Sequence, residues 1–139
     1  MNHDRGLIAG SFDILHPGYV RMFREAKEIA CRHLIVALQD DPTLDRPSKL
    51  KPVQSWNDRK EILESIKWID EIWYYSTEEE LLNLIGNNRQ SIDVRILGSD
   101  YIGKSFTGDG YEIPVYYCDR NHEYSTASLK RAIANSIKS

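Results

Sequence analysis

Short apolar runs alternate with amphipathic stretches along this chain, and that alternation limits the folds open to it more than any other feature. Leu34-Ile35-Val36-Ala37-Leu38 is continuous and apolar, the pattern of a strand covered on both faces. Leu7-Ile8-Ala9 is a shorter run that stops at Gly10. Between them, from about Pro17 to Ala30, Tyr19, Val20, Met22, Phe23, Ala26, Ile29 and Ala30 recur at helical spacing, with Arg21, Arg24, Lys27 and Glu28 on the other face. The same alternation continues. Ser55 with Asp58 marks the start of a helix over Trp56–Ile66. Ile69–Tyr75 reads as a strand, and Ser76 or Thr77 caps a helix with Glu78, Glu79 and Glu80 in its first turn. Val94–Leu97 is a strand ending at Gly98, a Gly-containing loop runs from Ser99 to Gly110, and Ile113–Cys118 is a strand. Ser125 or Thr126 caps the last helix, which runs to about Ile137. Strands alternating with helices imply βαβ units, hence an α/β fold with a parallel sheet between helical layers. The length of 139 residues suits one domain, 1–139.

Composition removes several classes of function. Apolar residues are 41% and charged residues 28%, values of an ordinary globular chain and not of a disordered one. The longest apolar run falls far short of the ~20 residues of a membrane-spanning helix, and no basic-then-apolar leader is visible at the N-terminus. Eighteen Lys and Arg against 21 Asp and Glu leave a net charge of −3, which argues against a general binder of nucleic acid or anionic membrane. Cys31 and Cys118 form no CxxC pair, so neither a disulfide framework nor a cysteine-built zinc site is expected. His3, His16, His33 and His122 lack the i,i+4 pairing of a helical zinc site. A cytoplasmic, reduced, soluble domain is expected.

Ligands of parallel sheets bind beyond the carboxyl ends of the strands. The loops after Ala9, Leu38, Leu97 and Cys118 are therefore where function should lie. The first reads Gly10-Ser11-Phe12-Asp13-Ile14-Leu15-His16-Pro17-Gly18-Tyr19. A helix opening just after a strand offers free N–H groups and a positive dipole end to an anion. His16 can place a donor on a phosphate oxygen, and Asp13 is of the type that holds Mg²⁺. A lone His in a tight turn is more often just a turn residue, but the last loop repeats the arrangement. Arg120-Asn121-His122-Glu123-Tyr124-Ser125-Thr126 also opens a helix after a strand and also brings a cation. Two such helix starts on one sheet edge suggest a polyphosphate held between them. The long polar segment Gln39–Gln54, with Arg46, Lys49 and Lys51 and followed by Arg59 and Lys60, could close over it.

GSFDILHPGY, followed about 100 residues later by RNHEYSTAS, resembles the cytidylyltransferase branch of the nucleotidyltransferases, whose motifs run G-[ST]-F-D-x-x-H-x-G-H and R-T-x-G-x-S-T-[ST]. The resemblance extends to Asp58-Arg59-Lys60, Ile69-Asp70-Glu71 and Gly98-Ser99-Asp100-Tyr101. It implies a Rossmann-like, three-layer fold with a five-stranded parallel sheet. The implied reaction is attack of a small phosphate monoester, glycerol-3-phosphate-like, on the α-phosphate of CTP, with Mg²⁺ as cofactor and pyrophosphate leaving. Carried over by position, His16, Lys49 and Arg120 are the catalytic residues. Gly10, Ser11, Phe12, Asp13, Gly18, Tyr19, Lys51, Arg59, Gly98, Asp100, Arg120, Ser125 and Thr126 contact the nucleotide, and Asp13 the metal. A homodimer is implied by the same resemblance.

The departures are specific. The second motif histidine is Tyr19, which can donate a hydrogen bond but is uncharged near neutral pH. Asn121-His122-Glu123-Tyr124 replaces the glycine-containing segment of the closing motif, and Lys67 stands where an arginine is frequent. Two other readings stay open. Lys51-Pro52-Val53 and Gly98-Ser99-Asp100-Tyr101 also resemble the adenylyl-transferring domain that makes ADP-heptose from ATP and a sugar phosphate. Tyr19 also fits a nucleotide-binding protein with weakened catalysis.

Overall fold

A computed structural model describes residues 3–138. Five strands, β1 (His3–Gly10), β2 (Cys31–Gln39), β3 (Glu71–Tyr75), β4 (Val94–Gly98) and β5 (Val115–Cys118), form one sheet in the order β3-β2-β1-β4-β5. Every pairing is parallel. Four helices connect or follow them: α1 (Pro17–Glu25), α2 (Trp56–Glu64), α3 (Glu78–Asn87) and α4 (Thr126–Ile137). This is the Rossmann-like α/β architecture expected from the alternation.

Both faces of the sheet are covered, and the burial of β2 shows why its sequence is apolar without interruption. Leu34, Val36 and Leu38 face Met22, Phe23 and Ala26 of the α1 side with Leu63 of α2. Ile35 and Ala37 face Leu81 and Ile85 of α3. Cys31 and Cys118 lie in the core as free thiols, and burial first of all pushes the Cys118 thiol up to about 12.

The elements differ from the sequence expectation mainly at their ends. The first helix is α-helical only to Glu25 and continues as a π-helical turn over Ala26–Ala30. β3 begins at Glu71, because the Ile69 amide closes a turn onto the Ile66 carbonyl. β5 begins at Val115, because Pro114 has no amide to donate to the ladder.

The strand order changes direction between β1 and β4, which places a crevice beyond their carboxyl ends. A cavity of about 460 Å³ occupies that position. It is lined by Ala9 and Gly10 at the end of β1, by Ser11 just beyond it, and by Leu97 and Gly98 at the end of β4.

Candidate active site

The loop between β1 and α1 is held by its own polar groups. Asp13 is 3% exposed, and its carboxylate accepts from the Val53 amide (2.7 Å) and the Gln54 amide (3.0 Å) and pairs with Lys130 Nζ (2.9 Å). Burial alone would raise its pKa; the Val53 amide, Lys130 and the Gln54 amide outweigh it and hold the carboxyl below the usual range. The Asp13 carbonyl accepts from Thr126 Oγ1 (2.8 Å), and the Ile14 amide donates to Gln54 Oε1 (3.1 Å). These contacts maintain Phe12 and Ile14 at φ 45° and 53°, a left-handed backbone that a β-branched isoleucine rarely adopts. Such strain persists only where the surroundings over-determine it.

His16 is the N-cap of α1: its Nδ1 accepts from the Gly18 amide at 3.1 Å. In the neutral ring the hydrogen is then on Nε2, which is buried and has no partner. Burial, then the charges of Arg120 and His122, lowers the His16 pKa. The donor expected of His16 is thus, in the neutral ring, its Nε2–H. An unpartnered buried donor costs ~1–3 kcal/mol until something accepts from it.

His122 repeats the arrangement. Its Nδ1 accepts from the Tyr124 amide at 3.1 Å, and its Nε2 is likewise buried and unpartnered. The two rings converge over Gly18. A Cβ there would lie 2.7 Å from His122 Cε1 and 2.9 Å from His16 Cε1, so only glycine lets both imidazoles approach the helix start. No spacing rule in the sequence singles out His122; it reaches His16 only because β5 lies two strands from β1 in the sheet. Tyr19 stacks on His16 at 4.0 Å between ring centroids and its hydroxyl pairs with Thr126 Oγ1 at 3.0 Å.

The other expected residues divide. Gly10, Ser11, Phe12, Asp13, Tyr19, Lys49, Gly98, Asp100, Arg120 and Thr126 line the cavity. Gly98 is required by close approach, since a Cβ would lie 2.7 Å from Arg120 Cγ as that side chain crosses the end of β4. Ser125 is the N-cap of α4, accepting from the Ser128 amide at 3.1 Å, and does not line the cavity. Lys51 does not line it either; its carbonyl accepts from Lys130 Nζ at 3.0 Å. Arg59 departs furthest from expectation. It is 1% exposed, and its guanidinium donates to the carbonyls of Gln54 (3.0 Å), Ser11 (2.8 Å), Gln39 (2.6 Å) and Asp40 (2.7 Å). It ties the ends of β1 and β2 to α2 and has little left to offer a nucleotide.

Asp13 also does not fit the metal role. Two amides and an ammonium already surround its carboxylate, and among the described residues no three His, Cys, Asp or Glu cluster as metal ligands. Lys130 joins the cavity instead, one turn after Thr126 on the same face of α4. That i,i+4 relation was the available signal for it.

The cavity thus combines the start of α4 with the cations Lys49, Arg120 and Lys130, a constellation for a phosphate chain. His16, Gly18 and His122 do not line it; His16 lies behind Tyr19, the lining residue on which it stacks. A family model described as cytidylyltransferase-like matches residues 7–117. The chain belongs to that family of nucleotidyltransferases. It is 34% identical over 131 residues to the glycerol-3-phosphate cytidylyltransferase of Bacillus subtilis (strain 168), covering 90% of this chain and 93% of that one. It is 36% identical over 104 residues to the bifunctional protein HldE of Bradyrhizobium sp. (strain ORS 278), where it covers 74% of this chain but spans only 20% of the relative. A crystal structure of the lipopolysaccharide core biosynthesis protein from Thermoplasma volcanium GSS1 has the same fold, with a TM-score of 0.64 and 23% identity over 88% of this chain and 98% of that one.

Proposed function

We propose that the protein transfers a cytidylyl group from CTP to a small phosphate monoester of the glycerol-3-phosphate kind. The acceptor's phosphate oxygen forms the new bond to the α-phosphorus, the bond to the β-phosphate oxygen breaks, and pyrophosphate leaves with that electron pair. The single observation that carries this reading is the buried, unpartnered Nε2–H of His16 at the start of α1. A neutral donor fixed there meets the charge that builds on a non-bridging α-phosphate oxygen. Arg120 and Lys130 neutralise the β- and γ-phosphates, and Lys49 on the rim closes over them. Mg²⁺ accompanies the triphosphate as its counter-ion, not as a resident of Asp13. Little covalent work falls to the protein in such a transfer; positioning and charge suffice.

Support for CTP comes from the cytidylyltransferase relative, which matches along nearly its whole length. A second reading, adenylyl transfer from ATP to a sugar phosphate, is favoured by the comparable identity to HldE. Pyrophosphate release with each of four nucleoside triphosphates, against a pool of phosphate monoesters, separates them. Turnover with CTP alone is expected; turnover with ATP alone replaces the first reading by the second. Silence from the wild type alongside activity in Tyr19→His would identify a nucleotide-binding protein whose catalysis has weakened. The family resemblance further suggests a cytoplasmic homodimer, for which light scattering should give twice the chain mass.

A further inference from the structure

The same cavity is also lined by a buried charge that the transfer reaction does not use. Arg95 of β4 is 3% exposed and lies on the α3 side of the sheet, where its Nη1 and Ile85 Cδ1 both abut Gly108. Its Nη1 donates to the Thr107 carbonyl at 2.6 Å, while its Nε–H is buried and has no partner. It forms no ion pair among the described residues. Close by, Glu78 opens α3. Its Oε1 accepts from Arg46 Nη2 and from Thr107 Oγ1, both at 3.3 Å, but its Oε2 is buried and unpartnered. Arg46, Glu78, Arg95 and Thr107 all line the same cavity as Asp13 and Arg120. One unmatched donor and one unmatched acceptor therefore line the same cavity.

We propose that Arg95 and Glu78 form the subsite for the tail of the acceptor, and that it selects a neutral hydroxyl-bearing tail over a cationic or apolar one. This rests on the nucleotidyl-transfer reading above. A hydroxyl is the small group that accepts from Arg95 Nε–H and donates to Glu78 Oε2 at once. An ammonium tail would face the cations of Arg95 and Arg46. A carboxylate tail would face Glu78. An apolar tail would leave both groups unpaired in a buried place, the situation sites discriminate against most strongly.

The test is calorimetric binding to the whole protein in the presence of a non-hydrolysable CTP analogue, so that it does not depend on turnover. The probes are glycerol 3-phosphate, a five-carbon polyol phosphate, propyl phosphate and phosphoethanolamine. The polyol phosphates should bind at least about tenfold more tightly than the other two. In Arg95→Met and in Glu78→Ala that preference should fall below about threefold, with phosphoethanolamine gaining in Arg95→Met. Thermal melting and affinity for the CTP analogue report whether each variant is folded; if Arg95→Met is not, the less buried Glu78→Ala decides. Equal binding of all four probes, no binding of any, or an unchanged preference in the variants overturns the proposal. Pyrophosphate release is scored separately. A clear polyol preference with no release would refute nucleotidyl transfer while leaving the subsite standing.

Discussion

The loop before α1 and the loop before α4 both open a helix at the carboxyl edge of the sheet, and both fix a histidine by bonding Nδ1 to the amide two residues on. They differ in how they are held. The first is strained at Phe12 and Ile14, and Asp13 at its centre is buried under three donors. The second is mostly exposed, with Asn121, Glu123 and Tyr124 in solvent. Besides the Tyr124 amide on His122, its amides donate from Arg120 N to Ser99 Oγ (2.9 Å), from Asn121 N to Asp119 Oδ1 (2.8 Å) and from His122 N to the Arg120 carbonyl (2.8 Å). The contrast teaches that two helix starts of similar local chemistry can be held differently, the first by buried bonds to distant residues and the second largely by bonds within its own exposed stretch.

The largest effect should come from the first loop. His16→Ala is expected to lower kcat by ~10²–10³, or about 2.7–4 kcal/mol, as for loss of one preorganised donor, measured by pyrophosphate release. Next is Asp13→Asn, which leaves Lys130 without its carboxylate and weakens two amide bonds. It should destabilise the protein by ~3 kcal/mol in urea unfolding, and a loss under 1 kcal/mol would show that the loop does not depend on this anchor. His122→Ala should cost on the order of tenfold in kcat, less than His16→Ala because its loop is less constrained. Equal losses at the two histidines would break the comparison, and restoration of His122→Ala by Tyr19→His would sharpen it.

The smallest effect is the dependence on pH. His16 has a lowered pKa, so the stability of its neutral form is complete above the ordinary His range and is lost as pH falls towards the lower folded value. Asp13 is also lowered; its contribution is complete above the ordinary carboxylate value and is lost as pH falls through the lower folded one. Both act in the same direction, with histidine first. Urea midpoints should decline gently from pH 7 to pH 5, and His16→Ala should flatten that decline.

Much of this was legible in the chain itself. The uninterrupted run at Leu34–Leu38 demanded a strand covered on both faces, and Pro17 after His16 and Ser125 before α4 marked helix starts that the structure has. Lys49 and Arg120 were expected at the phosphates by position, and they line the cavity. Arg59 was misjudged for a physical reason: a sequence shows that a guanidinium exists, not that four carbonyls from separate elements will converge on it. Arg95 was passed over although a charge inside an apolar strand run is itself a signal, since burying it demands a partner.

By itself, then, the sequence determined the alternation of elements, the parallel sheet, the family and the edge on which the cavity lies, because these follow from local periodicity and short motifs. Tertiary structure decided which polar groups are left unpartnered. The Nε2 atoms of His16 and His122, the Nε of Arg95 and the Oε2 of Glu78 are free only because neighbours distant in the chain bury them without bonding them. The carboxylate of Asp13 and the guanidinium of Arg59 are occupied for the converse reason. Hydrogen-bond satisfaction is a property of the packed molecule, since it depends on distances that no residue type carries alone.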